Sequence, residues 1–240
     1  MKRIKSLLVL SILGSLGLIS KAQVSSLPVG FTNDKNVWIV RSGVSLSNVS
    51  GSGLENSEKE WARQKCYGKY KNAWGGNLTL GLYLPFGTSP FYYGLNVTAG
   101  MRGFRTAEEW LESTNNLKNK TRFTAFKAQI APTNVGYIVK LCNHTALDFH
   151  LGLFVSCDFA GSYKIITSSD DTKITKTIGL NDLKDYGAKY NKYDIGPIGG
   201  IGLWYNHWVI DLSYQKGISS IDEEEDSYSN QILLSLGYAF

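Results

Sequence analysis

Apolar and polar residues alternate with a period of two along most of this chain, the spacing that sends successive side chains to opposite faces of a strand. In LDFHLGLFVSCDF the odd positions are Leu147, Phe149, Leu151, Leu153, Val155, Cys157 and Phe159, and the even ones Asp148, His150, Gly152, Phe154, Ser156 and Asp158. Trp208, Ile210, Leu212 and Tyr214 oppose Val209, Asp211, Ser213 and Gln215. At the C-terminal end Ile232, Leu234, Leu236, Tyr238 and Phe240 oppose Gln231, Ser235, Gly237 and Ala239, so the alternation runs to the last residue. The pattern predicts eight strands near 37–47, 77–86, 91–103, 122–141, 147–163, 192–205, 208–218 and 229–240. They are long beside the ordinary five or six residues or so, and match the roughly 9–11 residues that a tilted strand needs to cross a bilayer.

The connections alternate in length. Short turns fall at 87–90, 142–146 and 206–207, and long loops at 48–76, 104–121, 164–191 and 219–228. With an even strand count, this is the plan of an eight-stranded, antiparallel, up-and-down transmembrane β-barrel with short periplasmic turns, long external loops and both termini in the periplasm. Two segments break the alternation. Phe126, Ala128 and Ile130 share one phase and Val135, Tyr137, Val139 and Leu141 the other, which predicts a bulge at Pro132-Thr133-Asn134. TAEEWLESTNNLKNK, with Thr106 and Glu109 as a capping box, predicts a short helix in an external loop.

A soluble cup also alternates, but it turns its apolar face inward around a ligand. Here the polar face is Gly, Ser, Thr, Asn and Gln with a few single ions, too poor in charge for a water-facing surface, whereas Lys and Glu concentrate in the loops. Aromatic residues cluster on the apolar face at the periplasmic strand ends: Trp38, Phe86, Phe91, Tyr93, Phe149, Tyr205, Trp208, Tyr238 and Phe240. That is the arrangement of an interfacial girdle. Both features point to lipid outside.

The N-terminus agrees. MKRIKSLLVLSILGSLGLISKAQ has a basic start, an apolar run from Leu7 to Ile19 and small residues before Ala22, the features of a secretory signal peptide. Residues 1–22 are expected to be removed, leaving a single barrel domain over 23–240. The signal carries basic residues and no acids, so the mature chain is close to neutral although the sequence pI is about 8.9. No basic stripe of the kind nucleic acid requires is visible. The three cysteines, Cys66, Cys142 and Cys157, fall in an external loop, a periplasmic turn and on the lipid face high on the fifth strand; Cys142 and Cys157 are too far apart along a rising strand to pair, and no intramolecular disulfide is expected.

GVSLSNVSG (43–51), APTNVGYIVKL (131–141), YDIGPIGGIGLWYNHWVIDLSYQKGISSI (193–221) and NQILLSLGYAF (230–240) resemble the PorT-like outer-membrane β-barrel family, with the eight-stranded architecture of OmpA- and OmpX-type barrels. The resemblance covers nearly all of the mature chain. It implies a bacterial outer-membrane barrel; one branch of the family serves protein secretion. The motifs are strand grammar, specific for fold and silent on activity. The terminal aromatic, with Tyr238 two residues earlier, also resembles the C-terminal strand signal read by the outer-membrane assembly machinery, with Ser235 where that signal often has Gly.

Carried through the strands, the alternation points eight charges inward. Arg41, Lys140, Asp148 and Asp211 fall toward the periplasmic half, and Arg102, Lys127, Asp158 and Asp194 toward the external half. Eight strands leave an interior just wide enough for side chains to fill, and buried charges are tolerable only when paired. Two salt-bridged tiers plugging the lumen are therefore expected, with Asn96, Gln129, Gln215, Gln231 and His150 in hydrogen bonds. No catalytic site is expected: His144 and His207 lie in turns, and His150 points inward beside Asp148. IDEEED (221–226) matches no calcium loop, so neither metal nor cofactor is implied. EWARQKCYGKYKNAW (60–74) offers the Trp, Tyr, Arg and Lys of a binding surface for a protein or glycan partner. The leading expectation is a non-enzymatic barrel, embedded in outer-membrane lipid, that is structural or binds through its external loops. A small-solute pore or secretion accessory stands second, and a lipid-modifying enzyme third.

Overall fold

The computed structural model describes residues 36–63, 66–87, 89–110, 118–168, 172–186, 190–221 and 226–240. The expected signal peptide and most of the acidic run at 221–226 lie outside them. Strand β1 (Val37–Ser50) is followed by helix α1 (Ser52–Arg63), then β2 (Cys66–Pro85), β3 (Phe91–Trp110), β4 (Lys118–Cys142), β5 (Thr145–Ser168) and β6 (Lys173–Gly179). A 3-10 turn at Leu183–Tyr186 leads to β7 (Tyr193–Tyr205), β8 (Trp208–Lys216) and β9 (Tyr228–Ala239).

All pairings are antiparallel. The order runs β1-β2-β3-β4-β5-β7-β8-β9, and β9 returns to β1 from Ile39↔Ala239 to Ser50↔Tyr228, closing an eight-membered ring. At the level of the ring, closure leaves no unpaired edge. Strand β6 stands outside the ring and pairs with the upper end of β5, Ser162–Ser168. This hairpin occupies the stretch expected to be a loop at 164–191.

The phase slip at Pro132 is a bulge, where β4 spends one residue more than β5 between Ile130↔Val155 and Val135↔Leu151. Proline has no N–H to give, and local side chains serve the polar groups that the bulge displaces. Thr133 Oγ1 accepts from Leu153 N at 3.1 Å, and the Pro132 carbonyl accepts from the Tyr93 hydroxyl.

Of the segment expected to be helical after Thr106, residues 111–117 lie outside the described residues and the rest is strand. Strand β3 continues to Trp110, and Thr106 pairs with Thr121, Ala107 with Lys120 and Glu109 with Lys118. A short exposed helix is marginal alone, and a neighbouring strand supplies a full ladder of hydrogen bonds instead. The helix of this face is α1, within the stretch expected to be the 48–76 loop. It starts after Gly51, whose φ of 151° lies in a region that side chains avoid. Ser52 Oγ donates to Asp226 Oδ2 at 3.2 Å, tying its start to the last external loop.

The outer wall is apolar. Val40, Leu80, Val97, Ile130, Leu153, Ile201, Leu212 and Leu234 are all exposed, as befits a surface facing hydrocarbon rather than water. Strands β2 to β5 rise well beyond the ends of β1, β7, β8 and β9 and form a free-standing sheet above one side of the ring.

Candidate functional site

From the end where the termini emerge, the interior is stacked in layers. The first is apolar: Val37, Ile39, Ile138, Ala146, Trp204, Val209 and Ala239 surround Tyr83 and Tyr92, whose rings stack at 4.7 Å. The sequence assigned this face to polar residues. Tyr83, Tyr92 and Trp204 on the inward phase were the visible signal that the end is sealed with rings.

Above it lies the first ionic layer. The Tyr92 hydroxyl donates to Asp148 at 2.8 Å to Oδ1 and 2.9 Å to Oδ2. Arg41 Nη1 stands 3.4 Å from Asp211 Oδ2, and Nη2 donates to Asn96 Oδ1 at 2.9 Å. His150 lies between the two carboxylates, with Nδ1 3.6 Å from Asp148 and Nε2 3.6 Å from Asp211. Lys140 is not part of this layer. It pairs with Ala146, one step nearer the turn than Ile138↔Asp148, and sits half-buried at the rim.

The middle layer belongs to Lys127. Its ammonium donates to Gln129 Oε1 at 2.8 Å, Gln231 Oε1 at 2.6 Å and Gln215 Oε1 at 3.4 Å, with the Phe154 ring 5.8 Å away. The sequence placed Lys127 in a salt bridge; three amide oxygens hold it instead. The second ionic layer is built on Arg102. Nε donates to Asp158 Oδ2 at 2.9 Å and Nη1 to Asp194 Oδ2 at 2.7 Å. Ser229 donates to Asp194, and Tyr190 reaches in from the loop before β7 to donate to Asp158. Burial pushes the Tyr190 phenol above its ordinary range, which keeps it a donor. A second apolar cluster lies toward the far end, on the side of the raised strands: Phe123, Ala125, Ile178, Leu180 and Leu183, with Phe104, Tyr163 and Tyr190 packed against it. A void beside Arg102 and Lys127 measures about 20 Å³, room for about one water.

Ser213, His150 and Asp148 have the connectivity of a hydrolytic triad. Ser213 Oγ is 3.3 Å from His150 Nε2, and Nδ1 faces Asp148. Yet Ser213 donates to Asp211, and all three residues are buried between the Tyr83–Tyr92 plug and the Lys127 layer. Catalysis needs a reacting carbon within reach of the nucleophile and of an oxyanion site, and among the described residues the three side chains lie in the filled interior. His207 stacks on Tyr238 at 5.6 Å, and its Nδ1 donates to the Ala239 carbonyl at 3.2 Å.

The nine aromatic residues singled out as a girdle are distributed around the terminal end of the wall. Trp38, Phe86, Phe149, Tyr205, Trp208, Tyr238 and Phe240 are exposed, and Phe91 and Tyr93 half-buried. Trp208 meets Tyr238 edge-on at 5.2 Å, and Phe91 meets Tyr137 at 4.8 Å. Toward the other end, Trp74, Phe126, Phe159, Tyr193 and Tyr214 are exposed as well, so aromatic side chains flank the apolar band on both sides.

Beyond that second set the wall turns polar in ordered rows. Across β8, β9, β1 and β2 the outward positions Tyr214, Ile232, Leu46 and Trp74 are followed by Lys216, Asn230, Asn48 and Asn72. Asn48 Nδ2 donates to Asn72 Oδ1 at 3.0 Å, Tyr214 to Asn230 at 2.9 Å, and Asn230 to Ser50 at 2.7 Å. On the raised sheet the register aligns Lys71↔Arg105 on β2–β3, Arg105↔Arg122 on β3–β4 and Arg122↔Lys164 on β4–β5. Four cations thus stand side by side on one outward row. Lys71, Arg122 and Lys164 are exposed and Arg105 half-buried. Among the described residues none of the four joins an ion pair, and Arg105 Nε is buried without a hydrogen-bond partner. The sequence singled out the 60–74 stretch for its mixed side chains but not this row, which exists only once the register is known.

Neither a family model nor a characterised protein sequence matches the chain. Among solved structures it is similar to Ail, the attachment invasion locus protein of Yersinia pestis, in complex with the heparin analogue sucrose octasulfate (19% identity, 86% of this chain and 99% of that one, TM-score 0.37). It is similar also to the Neisserial surface protein NspA (11% identity, 85% and 97%, TM-score 0.34) and to the outer-membrane enzyme PagL (12% identity, 86% and 99%, TM-score 0.31). At these identities and scores the likeness decides neither a family nor an activity.

Proposed function

We propose that this chain is a non-enzymatic barrel of the bacterial outer membrane, PorT-like in type, which acts by binding at its external face, with both termini in the periplasm. One observation carries the reading: the lumen is filled at every level, while a sheet of four ring strands and a hairpin is raised above it. An eight-stranded barrel has no aqueous channel to offer, and here buried apolar clusters lie toward both ends of the polar core. What remains available to a partner is the exterior. Of the other roles admitted by the sequence, solute passage and lipid modification find less support. Solute passage would require dismantling five layers. Lipid modification would require a nucleophile and base at the rim, and the Ser213–His150 pair lies inside. In planar bilayers the purified protein is expected to show no stepwise conductance above the bare membrane; reproducible unitary steps would overturn the reading.

Topology has its own test. Cys142 is exposed at the β4–β5 turn, on the side of the termini. In a Cys66→Ser/Cys157→Ser background, a membrane-impermeant maleimide is expected to label Cys142 only after the outer membrane is permeabilised. Labelling of intact cells would invert the orientation.

A further inference from the structure

We propose that the row Lys71–Arg105–Arg122–Lys164 is a docking site for the phosphorylated sugar headgroups of outer-leaflet glycolipid. The inference rests on the outer-membrane reading above and goes beyond it by naming a ligand class and the residues that hold it.

The row is unfavourable by itself. Like charges directly opposite one another on adjacent strands repel, and here three such pairs follow in succession: Lys71↔Arg105, Arg105↔Arg122 and Arg122↔Lys164. The next outward row repeats the sign, with Lys69 and Lys120 flanking Ala107. No carboxylate among the described residues relieves it. By contrast, the interior pairs its arginines with aspartates. An arrangement of this kind is satisfied by an anion that comes from outside.

Its position says which anion. The row lies on the lipid-facing side of the wall, continuous with the apolar band. Counting outward along β3, β4 and β5, the register gives Met101↔Phe126↔Ala160, then Gly103↔Thr124↔Ser162, then the cations. From Phe126 to Arg122 is four residues, about 13 Å of strand at ~3.3 Å per residue, or roughly 10 Å of height at the usual tilt. That places the charges at headgroup level, above the hydrocarbon edge marked by Phe126. The intervening row of Gly103, Thr124 and Ser162 carries small side chains and forms a shelf where a sugar can lie against the wall. Neighbouring strands are ~4.8 Å apart, so four cations span roughly 15 Å, enough for two phosphates on one disaccharide. The two central residues are arginines, whose planar fork suits bidentate contact with phosphate. On the adjoining strands β9, β1 and β2 the amide row of Asn230, Asn48 and Asn72 continues the boundary and offers hydrogen bonds.

The test uses the full chain folded in neutral detergent micelles with EDTA present. It is titrated with a diphosphorylated glucosamine-disaccharide lipid, or with the same lipid after dephosphorylation, and bound lipid is counted by native mass spectrometry. Wild type is expected to retain the diphosphorylated lipid and discriminate against the dephosphorylated one. Arg105→Gln/Arg122→Gln is expected to weaken binding about 25-fold, roughly fivefold per cation. The lipid-free double variant should also melt higher than lipid-free wild type, because repulsion within the row is gone; a merely structural role for the arginines would move the melt down. Should that pair fold poorly, Lys71→Gln/Lys164→Gln reads the same row from its exposed ends, and Lys192→Gln serves as a control. Unchanged affinity in the variants, equal binding of the dephosphorylated lipid, or retention on a polysulfated soluble glycan with no preference between lipids would each overturn the assignment. Failure of the outer-membrane reading looks different: the unheated protein would show no heat-dependent shift in SDS gel mobility.

Discussion

Replacing Arg102 by methionine is expected to destabilise the folded barrel by about 3–5 kcal/mol, the usual cost of removing one member of a buried charge set. The guanidinium is the sole hydrogen-bonded cation of both Asp158 and Asp194 among the described residues, with donors 2.9 and 2.7 Å from their oxygens. Tyr190 and Ser229 also donate to those carboxylates, but a neutral donor cannot offset a full charge at this depth. Lys127 cannot take over, since Gln129, Gln231 and Gln215 hold its ammonium one layer away. With Arg102 gone, two carboxylates are left desolvated side by side. Urea titration of the protein in lipid vesicles checks the magnitude, with the slope of unfolding free energy against urea unchanged if only stability is affected. The companion variant Arg102→Met/Asp158→Asn/Asp194→Asn removes the charges together and is expected to recover most of the loss. A buried ion set replaced as a unit is often neutral. If Arg102→Met alone costs less than about 1 kcal/mol, the upper layer is wetter than its geometry indicates and the lumen is not sealed there.

The layer that this prediction probes was half legible in the sequence. Alternation alone put Arg102, Asp158 and Asp194 on one face of three different strands, and the short-long rhythm of the connections put them at one height. What alternation cannot give is offset. The bulges between Asn72 and Asn77, Gly94 and Asn96, and Ile130 and Val135 each shift one strand against its neighbour, and such shifts decide which charges meet. Lys127 stands opposite Asp158 in the register, yet Arg102 and Tyr190 take that carboxylate and its ammonium goes to amides, while Lys140 stops at the rim. The apolar clusters toward both ends were signalled only by isolated rings, for another reason. Trp204 and Phe123 belong to inward phases that otherwise read as polar, and only the closed ring shows that nothing but a neighbouring ring can cover them. The Thr106 capping box misled because a local signal was read without the ladder that a partner strand offers. The basic row was invisible altogether: Lys71, Arg105 and Lys164 fall in expected loops and Arg122 at the first residue of an expected strand, so nothing in the sequence brings the four together.

Leu234→Arg is expected to cost about 2–4 kcal/mol of folding free energy in a bilayer, as a cation on the lipid face of a barrel does at the midplane. The position is chosen by register. On β9 the outward residues are Asn230, Ile232, Leu234, Leu236 and Tyr238, so Leu234 stands four residues from the polar row and four from the girdle. Its cross-strand neighbours, Val44 on β1 and Leu212 on β8, are exposed and apolar too, and offer no partner to a guanidinium. Arginine there must stretch roughly 10 Å along the wall to reach a headgroup. Tyr238→Arg, on the same strand and face, begins at the interface and is expected to cost about 0–1 kcal/mol beyond the loss of its ring contacts. Side-chain orientation and strand position are shared between the two variants, which leaves depth as the main difference. In a soluble barrel the same Leu234→Arg change would place a charge in water at a half-exposed site and shift stability by no more than about 0.5 kcal/mol. Reversible urea titrations of both variants in vesicles separate these cases. Equal penalties at the two positions would mean that the apolar wall is not in hydrocarbon, and the headgroup-level placement of the arginine row would fall with it.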